Sequence, residues 1–145
     1  MNDDLINAAR AAAAHAHAPY SGFGVGAAVL LENGEIIIGC NFENASYGLT
    51  LCAETVALAT VNAQGKLRQV REIAVIGGKL IDGAITGSDP VNPCGRCRQV
   101  INEAAQISGH DTAVHCASAD GASVAHYRIS ELLPHPFGPA DLGFA

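Results

Sequence analysis

The runs Ile73-Ala74-Val75-Ile76-Gly77 and Thr112-Ala113-Val114-His115-Cys116-Ala117, with Pro93-Cys94-Gly95-Arg96-Cys97 between them, decide the fold. Each apolar run reads as a short buried strand. Pro93 opens a helix over Cys94 to Ile107, and Gly109 closes it. Strand, helix, strand in that order predicts a right-handed parallel crossover. Working outward, Cys52 to Gln64 reads as a preceding helix with Gly65 as its stop. Asp120-Gly121 lies in a short link before Val124-Ala125-His126-Tyr127-Arg128-Ile129, so the last strand returns antiparallel. Ser130-Glu131-Leu132-Leu133 starts a short final helix.

Toward the N-terminus, Phe23 to Leu31 and Ile36-Ile37-Ile38 flank Asn33-Gly34. Asn-Gly between apolar runs is a hairpin signal, because both residues tolerate positive φ. Asp3 or Asp4 can cap a first helix that runs through the alanines and ends before Pro19. A Gly-, Asp- and Pro-containing loop is expected between Gly77 and Pro93. The predicted class is α/β, a three-layer α/β/α sandwich around a mixed five-stranded sheet, in a single domain over residues 1–145.

The chain is 49% hydrophobic and 15% charged, which suits one compact core and predicts apolar surface hidden between subunits. A formal charge of −6 with only eight Lys and Arg argues against a phosphate backbone as substrate, so no nucleic acid is expected. The acidic start Met1-Asn2-Asp3-Asp4 does not read as a secretory signal, and no segment approaches the roughly 18–20 apolar residues of a membrane span. The expected location is the cytoplasm, with no membrane partner.

Five cysteines, an odd number, do not read as a disulfide framework. Cys52-Ala53-Glu54 starts one helix and Cys94-Gly95-Arg96-Cys97 another, so Cys52, Cys94 and Cys97 can converge on one Zn²⁺ at two helix N-termini. Three ligands leave a fourth tetrahedral position for water, the mark of a catalytic zinc. Glu54 can reach such a water without occupying the metal and can move its proton. Arg96 and Arg98 would help offset the thiolate charge. Cys94-x-x-Cys97 alone also reads as a redox pair, and a closed structural zinc would recruit Cys40, Cys116 or a histidine. Cys40 and Cys116 lie in apolar strand patterns and read as small buried residues. None of the six histidines shows ligand spacing to another.

The whole pattern resembles the small homotetrameric cytidine deaminases, whose relatives carry the zinc signature with Pro-Cys-x-x-Cys. The resemblance rests on Pro19-Tyr20-Ser21, Phe23 to Ala28, Gly39-Cys40-Asn41-Phe42-Glu43-Asn44, Cys52-Ala53-Glu54, Pro93 to Gln99, Leu132-Leu133-Pro134 and Phe137-Gly138-Pro139. It implies one Zn²⁺ per subunit on Cys52, Cys94 and Cys97, with Glu54 catalytic. It implies that Asn41 and Glu43 bind the ribose, that Phe23 packs near the base, and that Ala53 belongs to the substrate site. It further implies that Ala45, Tyr47 and Phe137 reach a neighbouring subunit's pocket in a homotetramer. Without the resemblance, Asn41 and Glu43 read as loop residues and Phe23 and Phe137 as core.

The implied reaction is hydrolytic deamination of free cytidine and 2′-deoxycytidine to the uridine forms plus ammonia, in pyrimidine salvage. Polynucleotide and tRNA deaminases resemble this pattern less, since they usually place His where Cys52 stands. Blasticidin-type deaminases share the three cysteines but lack the Asn-x-Glu pair. The remaining alternatives are another aminated pyrimidine nucleoside as substrate and a non-catalytic zinc module. Thr55 departs from the family, which usually carries Arg after the catalytic Glu; a hydroxyl can bond a sulfur but brings no charge.

Overall fold

The structure is a computed structural model that describes residues 2–145. Helix α1 (Asn2–Ala13) holds Asp3 and Asp4 inside its first turn, so neither is the expected cap; their charge favours the positive end of the helix all the same. It stops at Ala13, well short of Pro19. Strands β1 (Phe23–Leu31) and β2 (Ile36–Cys40) form the expected antiparallel hairpin. Its turn is looser than a two-residue reversal: Gly34 N–H donates to Leu31 O and Leu31 N–H to Glu35 O, and Gly34 alone takes positive φ there, at 91°.

After helix α2 (Ala53–Ala63), strand β3 runs over Val70–Ile81, longer than the expected 73–77, because β1 pairs with it along nearly its whole length. It then reverses into β4 (Ala84–Thr86), a strand that sequence reading assigned to a loop. The reversal is Asp82-Gly83, with φ of 51° and 79°, so both central residues adopt the positive φ of a two-residue hairpin turn. The sheet therefore has six strands rather than five, in the order β2-β1-β3-β5-β6 with β4 on β3. Helix α3 (Gly95–Ser108) crosses to β5 (Ala113–Ser118), parallel to β3, and β6 (Val124–Arg128) returns antiparallel before the short α4 (Ile129–Leu132).

Both faces of the sheet are covered, giving the expected three layers. Leu5, Ile6 and Ala9 of α1 pack on Ala28, Ala74, Ile76 and Ala117. On the opposite face α2 and α3 bring Ala57, Val61, Ile101 and Ala105 onto Val29, Ile73, Val75 and Val114. Glycine sets how closely α2 sits: a Cβ at Gly39 would lie 2.5 Å from the Ala57 nitrogen. That proximity fixes the N-terminus of α2 beside the end of β2. Helices α2 and α3 also pack on each other, and their N-termini carry the cysteines.

Candidate active site

Cys52 and Cys94 are the extended residues that immediately precede α2 and α3, at φ, ψ of −76°, 155° and −65°, 167°. Each therefore presents its sulfur to the free N–H groups of a helix start. The Cys97 N–H donates to Cys94 Sγ at 3.5 Å. The sulfurs of Cys52, Cys94 and Cys97 lie within 4.8 Å of one another, and Cys52 Sγ to Cys94 Sγ is 3.8 Å. Zn–S bonds of about 2.3 Å at the tetrahedral angle would set sulfurs about 3.8 Å apart. The donor set fits zinc in distance and in chemistry.

Among the described residues these three form the one group of three or more donor side chains whose ligand atoms all converge, and neither Cys40 nor Cys116 joins it. Cys116 is fully buried in the core, and burial pushes its thiol up to about 12. Burial also raises the thiol of half-buried Cys40. Cys116 is the small buried residue that its strand pattern predicts, whereas Cys40 is only half-buried. A fourth protein ligand, which a closed structural zinc requires, is thus not among the candidates named from the sequence.

The thiols of Cys52 and Cys97 are shifted in opposite directions. The Cys97 thiol bonds Cys52 and, with Cys94 and Arg96, lowers Cys52 to about 5. Cys97, which gives that bond and is buried, is pushed up instead. A dication would remove this conflict by holding all three as thiolates. Thr55 Oγ1 lies 3.5 Å from Cys97 Sγ, supplying a neutral donor to that sulfur. Arg96 is exposed, donates to Thr50 O at 2.7 Å and acts on Cys52. Arg98 instead bonds Pro93 O at 2.8 Å and Leu132 O at 3.1 Å, tying the α3 start to the C-terminal segment.

Glu54 occupies the first turn of α2 and is 4% exposed. Burial, then the Cys52 charge beside it, raises its carboxyl to about 7. A carboxyl poised there can hold or release a proton near neutrality.

The other expected site residues divide into two groups. Asn41, at the end of β2, is buried and turns back on β1, where its Oδ1 accepts from Val25 N–H and its Nδ2 donates to Phe23 O, both at 2.9 Å. Glu43 is also buried; it accepts from Tyr20 N–H at 3.0 Å, from Ser21 N–H at 3.2 Å and from the Ser21 hydroxyl. The hydroxyl bond keeps its carboxyl below the ordinary range. Glu43 and Tyr47 line a cleft of about 320 Å³ with Tyr20, Ser21 and Thr50. Through the Arg96–Thr50 bond this cleft is joined to the cysteine cluster.

Phe23 and Phe137 are not core residues, as sequence alone suggests: they are 40% and 63% exposed. Ala45 and Tyr47 are also exposed, whereas Ala53 is buried in the first turn of α2. Phe137 lines a different cavity, of about 510 Å³, against Gln99 and Glu103 of α3. Sequence reading gave no role to Tyr20 and Ser21 as the groups that orient Glu43. The signal lay in the turn sequence Pro19-Tyr20-Ser21, which lies beyond the helix and leaves its N–H groups free to bond a side chain.

Residues 1–109 match the family described as the cytidine and deoxycytidylate deaminase zinc-binding region. The chain belongs to that family. It is 42% identical over 138 residues to a cytidine deaminase of Halalkalibacterium halodurans, covering 95% of each chain. It is 41% identical over 133 residues to a cytidine deaminase of Mycobacterium tuberculosis, covering 90% of this chain and 85% of the relative. A crystal structure of cytidine deaminase from Burkholderia pseudomallei superposes with a TM-score of 0.81 at 39% identity, covering 94% of this chain and 99% of that one.

Proposed function

We propose that this chain is a zinc-dependent hydrolase that deaminates free cytidine and 2′-deoxycytidine to uridine and 2′-deoxyuridine, releasing ammonia. The observation that carries the reading is the meeting of three sulfurs, with no fourth donor joining them among the described residues, beside the buried carboxyl of Glu54. Cys52, Cys94 and Cys97 would hold the zinc, which would supply an activated water at neutral pH. Glu54 takes the proton as the water oxygen adds to C4 of the base and delivers it to N3. Glu54, now ionised, takes the hydroxyl proton at C4 and passes it to the amine; the C4–N bond breaks as the C4 carbonyl forms, and ammonia leaves. Water is the only co-reactant.

Asn41 keeps one amide N–H and one carbonyl lone pair beyond its bonds to β1, and Glu43 keeps acceptor capacity beyond its bonds to Tyr20 and Ser21. Those free positions suit ribose hydroxyls. Phe23 supplies an apolar wall for the base, and Ala53, at the start of α2, belongs to the substrate site. Ala45, Tyr47 and Phe137 extend toward the pocket of a neighbouring subunit in a homotetramer with one zinc per subunit. Support for assembly comes from the aromatics: of four Phe and three Tyr, only Tyr127 is not among the exposed large side chains.

The single domain spans residues 1–145, and the setting is cytoplasmic pyrimidine salvage. No helix among the described residues is long and apolar enough to cross a membrane. The test is to incubate zinc-replete protein with cytidine and 2′-deoxycytidine and follow ultraviolet absorbance. Stoichiometric uridine and ammonia are expected. Inert cytidine with turnover of a modified or blasticidin-like nucleoside would reassign the substrate, and no turnover at all would leave a zinc module.

A further inference from the structure

The geometry points to a second metal site, separate from the cysteine cluster, in which His115 and His126 chelate one imidazole-preferring divalent ion. The two residues are direct partners across β5 and β6, and their Nδ1 atoms are 2.8 Å apart. Only one hydrogen fits between two such nitrogens, so the pair shares a single proton. A divalent ion can take that proton's place. Metal–nitrogen bonds of about 2.0–2.1 Å at the tetrahedral angle set nitrogens about 3.3 Å apart. The required opening is about half an ångström, which rotation of the exposed His126 ring supplies.

The inner histidine is already oriented as a ligand. His115 is 6% exposed, and its Nε2 lies 2.7 Å from Glu72 Oε1. Since the carboxylate only accepts, Nε2 carries the hydrogen, and a neutral His115 then has its lone pair on Nδ1, facing His126. A carboxylate on the far nitrogen of a ligating histidine is the usual second partner of a bound metal. Glu72 reaches it from β3, where the neighbouring Ala74 pairs with His115.

The site is also open. His126 is exposed, at the outer strand of the sheet. A cavity of about 340 Å³ lies over the pair, with Glu131 and Arg128 on its wall. Glu131 adds negative charge, although its oxygen already bonds Arg128 N–H at 2.9 Å. The Arg128 guanidinium donates to Asp111 O at 3.3 Å, which holds that cation on the backbone. Water can complete the coordination. Two imidazoles select zinc, nickel or copper over magnesium or calcium.

The test uses zinc-loaded full-length protein dialysed against Ni²⁺, with both metals measured by atomic emission. One nickel per chain beyond the retained zinc is expected. His126→Ala, at an exposed position, should lose that nickel while keeping its zinc and its fold by circular dichroism. His110→Ala should keep both metals. Glu72→Gln should weaken nickel binding about 10- to 100-fold. Failure to take up nickel, or equal uptake by His126→Ala, overturns the proposal and leaves a proton-sharing pair only. Neither result bears on deamination, so the two readings fail separately.

Discussion

The Thr55 hydroxyl lies 3.5 Å from the sulfur of Cys97, across the junction of α2 and α3. The resemblance read from the sequence implies an Arg at that position. Here a neutral donor serves the buried sulfur, while Arg96 is at the exposed rim and Arg98 is engaged with backbone carbonyls. The cluster with zinc thus has less positive charge near Cys97 than an Arg would give, and the hydroxyl bond matters correspondingly more.

Thr55→Val keeps the shape of the side chain and deletes that donor. A hydrogen bond to a charged group contributes about 1.5–3 kcal/mol, so zinc should pass to a chromophoric chelator about tenfold faster or more. Thr55→Ser should restore slow release. Equal release rates from the wild type and Thr55→Val would show that the contact is only packing.

Glu54→Gln preserves size and removes the proton carrier. Zinc content should be unchanged, and kcat for cytidine should fall by at least about 10²- to 10⁴-fold. Near-normal turnover by the zinc-loaded variant would remove Glu54 from the mechanism.

The cysteines should divide by function. Cys97→Ser should lower zinc stoichiometry sharply, whereas Cys116→Ser should keep one zinc per chain despite some loss of stability at its buried position. Loss of zinc from Cys116→Ser would indicate a closed four-ligand site and a structural metal.

Gly39→Ala should act at a distance on the same centre. The added methyl meets the α2 backbone at 2.5 Å, so the helix that presents Cys52 and Glu54 must shift. Overpacking of this kind costs about 1–3 kcal/mol, visible as a lower Tm, and zinc release should quicken. A variant with wild-type Tm and wild-type zinc release would show that this close approach does not hold the centre in place.

Sedimentation should find a tetramer at working concentrations. Tyr47→Asp and Phe137→Asp, at positions 74% and 63% exposed in the single chain, should shift it to smaller species without unfolding it. An unchanged tetramer in both variants would place the subunit contacts elsewhere.

Local chemistry made much of this site legible. Cys52 two residues before Glu54, and Cys94 three before Cys97, each place two site residues within one helical turn, and the resemblance joins the two pairs into one site. Where several signals of one kind compete, reading fails. Gly, Asp and Pro crowd the stretch from Gly77 to Pro93, and the Asp82-Gly83 reversal was hidden among them, with β4 beyond it. The exposure of Phe23 and Phe137 was similarly invisible, since an aromatic's hydrophobicity does not say whether its own chain or another covers it.

By itself the sequence determined the layers of the fold, the three sulfurs and the carboxyl beside them, because helix starts, strand periodicity and ligand spacing are short-range properties. Only the tertiary structure decided what strand register and helix packing bring together. Thr55 meets Cys97 because α2 lies on α3, Asn41 bonds β1 because β2 pairs with it, and His115 meets His126 because two strands share a register. Those meetings join residues far apart along the chain, and no local pattern encodes the distance between them.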